Sequence, residues 1–134
     1  MQDAATFFWL VGLFEGEASF RYKASERTPV IELEMTDEHV IARVASLFDI
    51  SYSRRDRRER RNDSMILQVT YRVSLKGGRA MQLMTRMQPF LSPRRARQID
   101  LVEELYLAGR WNTIDYANLP LPPLTSVPFS VTRG

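Results

Sequence analysis

The sequence predicts an α+β fold in which helices alternate with antiparallel hairpins, and three observations carry it. The hydrophobic period switches twice from that of a helix to strict alternation, over residues 18–35 and again over residues 50–74. Each alternating stretch is divided by turn-forming residues, near 26–29 and at Asn62 and Asp63. A chain of 134 residues, 44% of them hydrophobic, can bury one ordinary core but hardly two. One domain is therefore expected over residues 1–109, followed by a Pro-rich extension over 110–134.

Each element follows in order. Residues 4–16 carry apolar side chains on every side of a helical projection, the pattern of a helix covered nearly all round and so central to the fold. From Ala18 the chain alternates, with Ala18, Phe20, Tyr22 and Ala24 on one side and Ser19, Arg21, Lys23, Ser25 and Arg27 on the other. Ile31, Leu33 and Met35 then alternate with Glu32, Glu34 and Thr36 as the returning strand. Thr36 or Asp37 caps a second helix whose stripe is Val40, Ile41, Val44, Leu47 and Phe48, ending near Asp49. In the second hairpin one arm covers residues 50–60. On its return Met65, Leu67, Val69, Tyr71 and Val73 form a dry face and Ile66, Gln68, Thr70, Arg72 and Ser74 a polar one. Gly77 and Gly78 break the chain before a third helix bearing Met81, Leu83, Met84 and Met87. Ser92 and Pro93 cap and start a fourth helix ending near Gly109. Residues 118–134 hold four of the seven prolines without periodicity and read as an extended tail.

Composition excludes several chemistries. With no cysteine there is no disulfide, thiolate nucleophile or zinc ribbon, and His39, the sole histidine, supports neither a zinc cluster nor a triad. No apolar run is long enough to span a bilayer, since residues 7–14 are too few, and no basic leader precedes them. A cytoplasmic protein with no membrane partner is the expectation. The net charge is only +3, but it is segregated: residues 54–61, RRDRRERR, hold six arginines and residues 94–97 three more, whereas acids gather in 32–38 and 100–104. Such a distribution points to an anionic partner.

The stretch LVGLFEGEASF, residues 10–20, poses the functional question. Gly12 and Gly16, four apart, share one helix face and leave a shallow groove for another backbone, whether a partner helix or the chain's own strands. Glu15 and Glu17 stand against the negative end of the helix dipole, so stability does not explain them. A hard divalent cation would, since helix-terminal carbonyls are free there; solvation or pairing with arginine is the alternative.

The run LVGLFEGEA resembles the signature of the LAGLIDADG homing endonucleases, through Leu10, Gly12, Leu13, the acid Glu15, the small Gly16 and the metal-binding acid Glu17. Val11 replaces the usual small alanine, and Ala18 the terminal glycine. MTDEHVIARVASLF, residues 35–48, is similar to the segment entering the family's second core helix, and MQPFLSPRRARQIDLVEEL, residues 87–105, to its closing helical segment.

The resemblance implies an αββαββα core with an antiparallel sheet forming a DNA-binding saddle, plus an additional C-terminal helix and the tail. It implies a homodimer, because this chain carries one copy of the motif, with Gly12, Gly16, Trp9 and Leu13 at the interface and a palindromic or near-palindromic double-stranded DNA target. Cleavage would be Mg²⁺-dependent, or supported by another divalent cation such as Mn²⁺, with Glu17 and Gly16 at the metal. Asp37 matches a position that arranges metal-bound water, though a helix N-cap explains it equally. Lys76 falls roughly where relatives carry a catalytic lysine, with Arg79 as competitor. On the saddle, Arg21, Lys23, Arg27, Gln68 and Arg72 are placed to meet DNA, and Arg54, Arg55, Arg57, Arg58, Arg60 and Arg61 divide between bases and phosphates. Glu34, beside Glu32, either accepts a hydrogen bond from cytosine or pairs with Arg21 or Lys23. The alternative function is a non-cleaving DNA-binding regulator, or a splicing maturase whose partner is RNA.

Overall fold

The computed structural model describes residues 3–112. The element order is α1 (Ala4–Glu17), β1 (Ala18–Lys23), β2 (Thr28–Met35), α2 (Glu38–Phe48), β3 (Tyr52–Arg61), β4 (Ser64–Lys76), α3 (Gly78–Met87), a 3₁₀ turn (Gln88–Phe90) and α4 (Pro93–Asn112). This is the predicted order of helices and hairpins. The four strands form one antiparallel sheet in the order β1-β2-β4-β3. The α+β class is thereby shown.

Local chemistry sets the boundaries. Asp3 caps α1 by accepting the Thr6 N–H at 2.8 Å, a bond that holds its carboxyl below the ordinary value. Asp37, not Thr36, caps α2, its Oδ1 accepting from the N–H groups of His39 and Val40. At the other end Asp49 is left-handed, and the Ile50 N–H reaches back to the Ala45 carbonyl at 3.0 Å. The first strand is shorter than predicted: residues 24–27 form the turn, closed by the Glu26 N–H on the Lys23 carbonyl at 3.1 Å, with Arg27 at φ 51°. Pro29 lies inside β2, opposite Tyr22, at a position just before the ladder to β4 begins at Val30. Asn62 and Asp63 both take positive φ, the two-residue turn whose twist suits a tight hairpin.

The core lies on one face of the sheet. Phe20, Ile31, Leu33, Val73 and Leu75 are buried there against Leu10, Val11 and Phe14 of α1, Ile41 and Val44 of α2, Leu83, Met84 and Met87 of α3, and Ile99 and Val102 of α4. Three expectations need correction. Helix α1 is not covered all round: Leu10, Val11 and Phe14 are buried, but Phe8 is 50% exposed and Gly12 and Gly16 are open. The sheet reaches only one side of it. The second hairpin is not dry along its whole predicted face, because β4 pairs with β2 only from Tyr71 onward. Outside that point β3 and β4 continue as a two-stranded ribbon, leaving Met65 at 60% and Leu67 at 52% exposure. Finally, Gly109 does not end α4, which runs on to Asn112. A Cβ at residue 109 would collide with the Tyr22 hydroxyl, so glycine serves close packing of α4 on β1. The expected boundary at 109 thus falls within a helix, and the tail at 118–134 lies outside the described residues.

Candidate nucleic-acid interface and acidic helix end

The opposite face of the sheet carries no buried residue apart from Val30, which lies in the row between Arg21 and Lys76. Register aligns Ser19, Glu32 and Ser74 in one row, Glu34, Arg72 and Ser53 in the next, then Thr70 with Arg55 and Gln68 with Arg57 further out. Because β-strand side chains alternate, the arginine run divides: Arg55, Arg57 and Arg61 share the face of Arg21 and Arg72, whereas Arg54, Arg58 and Arg60 share the face of Met65 and Leu67.

The acids on this face are internally paired. Glu34 accepts from the Thr70 hydroxyl at 2.5 Å and from Arg72 Nη2 at 2.8 Å and Nε at 3.1 Å; these bonds, Thr70's first, hold its carboxyl below the ordinary value. Glu32 accepts from Ser74 at 3.2 Å and from Arg21 at 3.5 Å. Glu32 thus pairs with Arg21 as one expectation had it, whereas the partner of Glu34 is Arg72 rather than Arg21 or Lys23. On the ribbon, Arg54 pairs with Asp56 at 2.9 Å and Arg61 with Glu59 at 3.1 Å. Arg55, Arg57, Arg58 and Arg60 have neither a hydrogen bond nor an ion pair among the described residues. Arg27 sits at the tip of the first hairpin, and Lys23 beside it pairs with Glu26 at 2.7 Å.

The two acids of the opening stretch have separate fates. Glu15 is engaged: its Oε1 accepts the Ser92 N–H at 2.7 Å and its Oε2 the Ser92 hydroxyl at 2.9 Å. The Ser92 N–H foremost holds the Glu15 carboxyl low against the opposing effect of burial, with the Ser92 hydroxyl and the fields of Arg95 and Arg94 adding to it. The unfavourable dipole of α1 is thus offset by the favourable start of α4. Glu17 is exposed and makes no hydrogen bond or ion pair among the described residues, and it lies within the electrostatic reach of Arg95.

Asp37 follows β2 at the sheet end where Ala18 pairs with Leu33, the same end as Glu17. Its capping bonds use Oδ1 alone. Lys76 stands elsewhere: it aligns with Val30, three residues from Leu33 and so about 10 Å along the strands, and its Nζ lies 3.4 Å from Glu26. The competing Arg79 donates to the Phe48 carbonyl at 2.6 Å. On α1, Arg43 of α2 stacks 4.0 Å from the Trp9 ring, and Leu13 packs partly on the core. A Cβ added at Gly12 or Gly16 meets nothing within 4 Å. The chain's own strands do not fill the groove these glycines leave.

Neither the family models nor the curated proteins give a match for this chain. The donor set must therefore be judged on its own geometry. No three of His, Cys, Asp and Glu cluster among the described residues. Glu17 offers one free carboxylate at the end of α1, which suits a hard divalent cation only as an open site completed by a second carboxylate, water and a phosphate. No helix among the described residues is long and apolar enough to cross a membrane.

Sequence reasoning missed Ser92 and Arg95. Arg95, 7% exposed, donates from Nε to the main-chain carbonyl of Glu15 at 2.9 Å and from Nη1 to Gln98 at 3.0 Å, over the Phe20 ring. The signal available was the Ser-Pro helix start, which names a cap without naming what else the cap holds.

Proposed function

We propose that this chain is one subunit of a homodimeric, site-specific double-stranded DNA endonuclease that hydrolyses phosphodiesters with Mg²⁺ or Mn²⁺, on the LAGLIDADG plan. The observation that carries it is Glu17: an exposed, unpaired carboxylate at the end of a helix whose Gly12 and Gly16 side is bare. A second copy of α1 laid on that side, related by a twofold axis, buries Phe8 and the glycine groove and brings the two Glu17 carboxylates together, completing the open site. Glu17, with the Gly16 main-chain carbonyl and the phosphate, would hold the divalent cation, which when bound would supply an activated water and charge stabilisation. Asp37 keeps one carboxylate oxygen for ordering water at the same sheet end.

The polar sheet face lies along the duplex and the ribbon enters the major groove. Arg55 and Arg57, unengaged, reach phosphates or guanine edges, with Gln68 between them. Arg21 and Arg72, already held by Glu32 and Glu34, are pre-aligned and meet DNA as neutralised pairs. Arg58 and Arg60 point away from that face and serve phosphates at its flanks.

The alternative, a non-cleaving DNA-binding regulator or an RNA-binding maturase on the same scaffold, is favoured by one observation, the engagement of Lys76 by Glu26. A randomised duplex library incubated with Mg²⁺ and either the parent or Glu17→Gln decides between them. Metal-dependent cutting by the parent, abolished in the variant with binding kept, supports the nuclease; binding without cutting by both supports the alternative.

A further inference from the structure

The last turn of α1 is held from a distance. Three hydrogen bonds converge on Glu15 from the first turn of α4, two from Ser92 to its carboxylate and one from Arg95 to its main-chain carbonyl, across separations of 77 and 80 residues. That carbonyl is among the four at a helix C-terminus that lack an intrahelical partner. Ser92 Oγ also accepts the Arg95 N–H at 3.3 Å, so α4's own cap and the contact to α1 share one hydroxyl. Gly16, between Glu15 and Glu17, has no side chain, and a Cβ there would meet nothing within 4 Å.

We propose that Ser92 and Arg95 are positioning residues for Glu17: by gripping Glu15 from both its carboxylate and its carbonyl, they fix the turn from which the Glu17 carboxylate is presented. This rests on the function proposed above for Glu17. The buried guanidinium contributes a rigid fork, and the serine hydroxyl and N–H a second pair of anchors two residues before the acid. Loosening either lets Gly16 turn and disperses Glu17 over several placements, so that capture of a cation must first select one of them.

Ser92→Ala and Arg95→Lys leave the charge near Glu17 unchanged, so their effects report placement. Hydrogen exchange at the amides of residues 16–18 should accelerate about tenfold in each, the scale of removing one charge-assisted hydrogen bond. The Mg²⁺ midpoint for cutting a selected duplex should rise by a similar factor of about ten, with cutting at saturating Mg²⁺ and Ca²⁺-supported DNA affinity near parental. Ser92→Thr, which keeps the hydroxyl, should restore both. A purely stabilising role would lower the melting temperature yet leave the exchange of residues 16–18 and the Mg²⁺ midpoint parental, and would overturn the proposal. Should Arg95→Lys not fold, the Ser92→Ala and Ser92→Thr pair decides alone. The two proposals fail separately. Faster exchange in a protein whose parent never cuts removes the nuclease and keeps the grip, while a cutting parent with parental exchange in Ser92→Ala removes the grip only.

Discussion

Replacing Gly12 by alanine sets two effects against each other, and their signs are opposite in one chain and in two. Within one chain the new Cβ meets nothing within 4 Å and sits inside α1, well before its end at Glu17. Alanine should then stabilise the monomer by about 0.8–1 kcal/mol through helix propensity, raising its melting temperature by roughly 4 °C. In the proposed dimer the same Cβ enters the helix contact from both copies. Inserting a methyl into a close-packed contact costs about 1–3 kcal/mol, so two by symmetry cost about 2–6 kcal/mol and weaken the dimer some 30-fold to 10⁴-fold. Thermal unfolding at high dilution reads the first effect and sedimentation equilibrium the second. A variant that dimerises as tightly as the parent refutes the assignment of this helix face, and one whose monomer melts lower refutes the open space around Gly12.

Glu34→Gln should alter the pH dependence of stability. The Glu34 carboxyl, held below its ordinary 4.5 by Thr70 and Arg72, contributes stability that is fully present above that value and is lost as pH falls through the lower folded-state value. Urea unfolding between pH 6 and pH 3 should therefore show a shallower decline in the variant, and identical slopes would contradict the pairing. Arg55→Ala combined with Arg57→Ala should reduce the salt slope of DNA binding by about 0.9 for each phosphate no longer neutralised, whereas Arg54→Ala, whose guanidinium is already paired with Asp56, should change it less. On the helix side, Leu33→Ala at 1% exposure should cost about 2–5 kcal/mol, while Leu67→Thr on the ribbon should stay within about 0.5 kcal/mol by chemical denaturation.

Much of this fold is legible because periodicity encodes burial. Ile31, Leu33, Val73 and Leu75 alternate in the sequence and are buried in the sheet, and the stripe from Ile41 to Phe48 faces the core as its spacing requires. What periodicity does not encode is which molecule or element provides the cover. Phe8 and Gly12 look as interior as Leu10 and Phe14 by hydropathy, yet the sheet is wide enough for one side of α1 only. Met65 and Leu67 alternate like Val73, but dryness at their positions needs β2 and a helix to extend that far, and β2 stops pairing at Tyr71.

The candidate site shows the same division. Glu17 is singled out by its place at a helix end, and the structure leaves it exposed and unpaired. Glu15 looks equivalent on local grounds, and only a contact 77 residues away distinguishes the two. Hairpin register fixes which arginines face the polar side, but the pairing of Glu34 with Arg72 and Thr70 depends on β2 meeting β4 across an intervening helix and strand. Long-range pairings of this kind are absent from any window of neighbouring residues.

The chain contains no cysteine, so Glu17→Cys gives a single site for a spin label. Interspin distances measured with the labelled protein on its selected duplex test most directly whether two copies of residue 17 meet. Packed helix axes lie about 8–10 Å apart, and with two label arms the separation should be no more than about 20 Å. A well-defined short distance on DNA is the expected result; no intermolecular signal, or a separation far beyond that range, would contradict a shared site at the twofold axis.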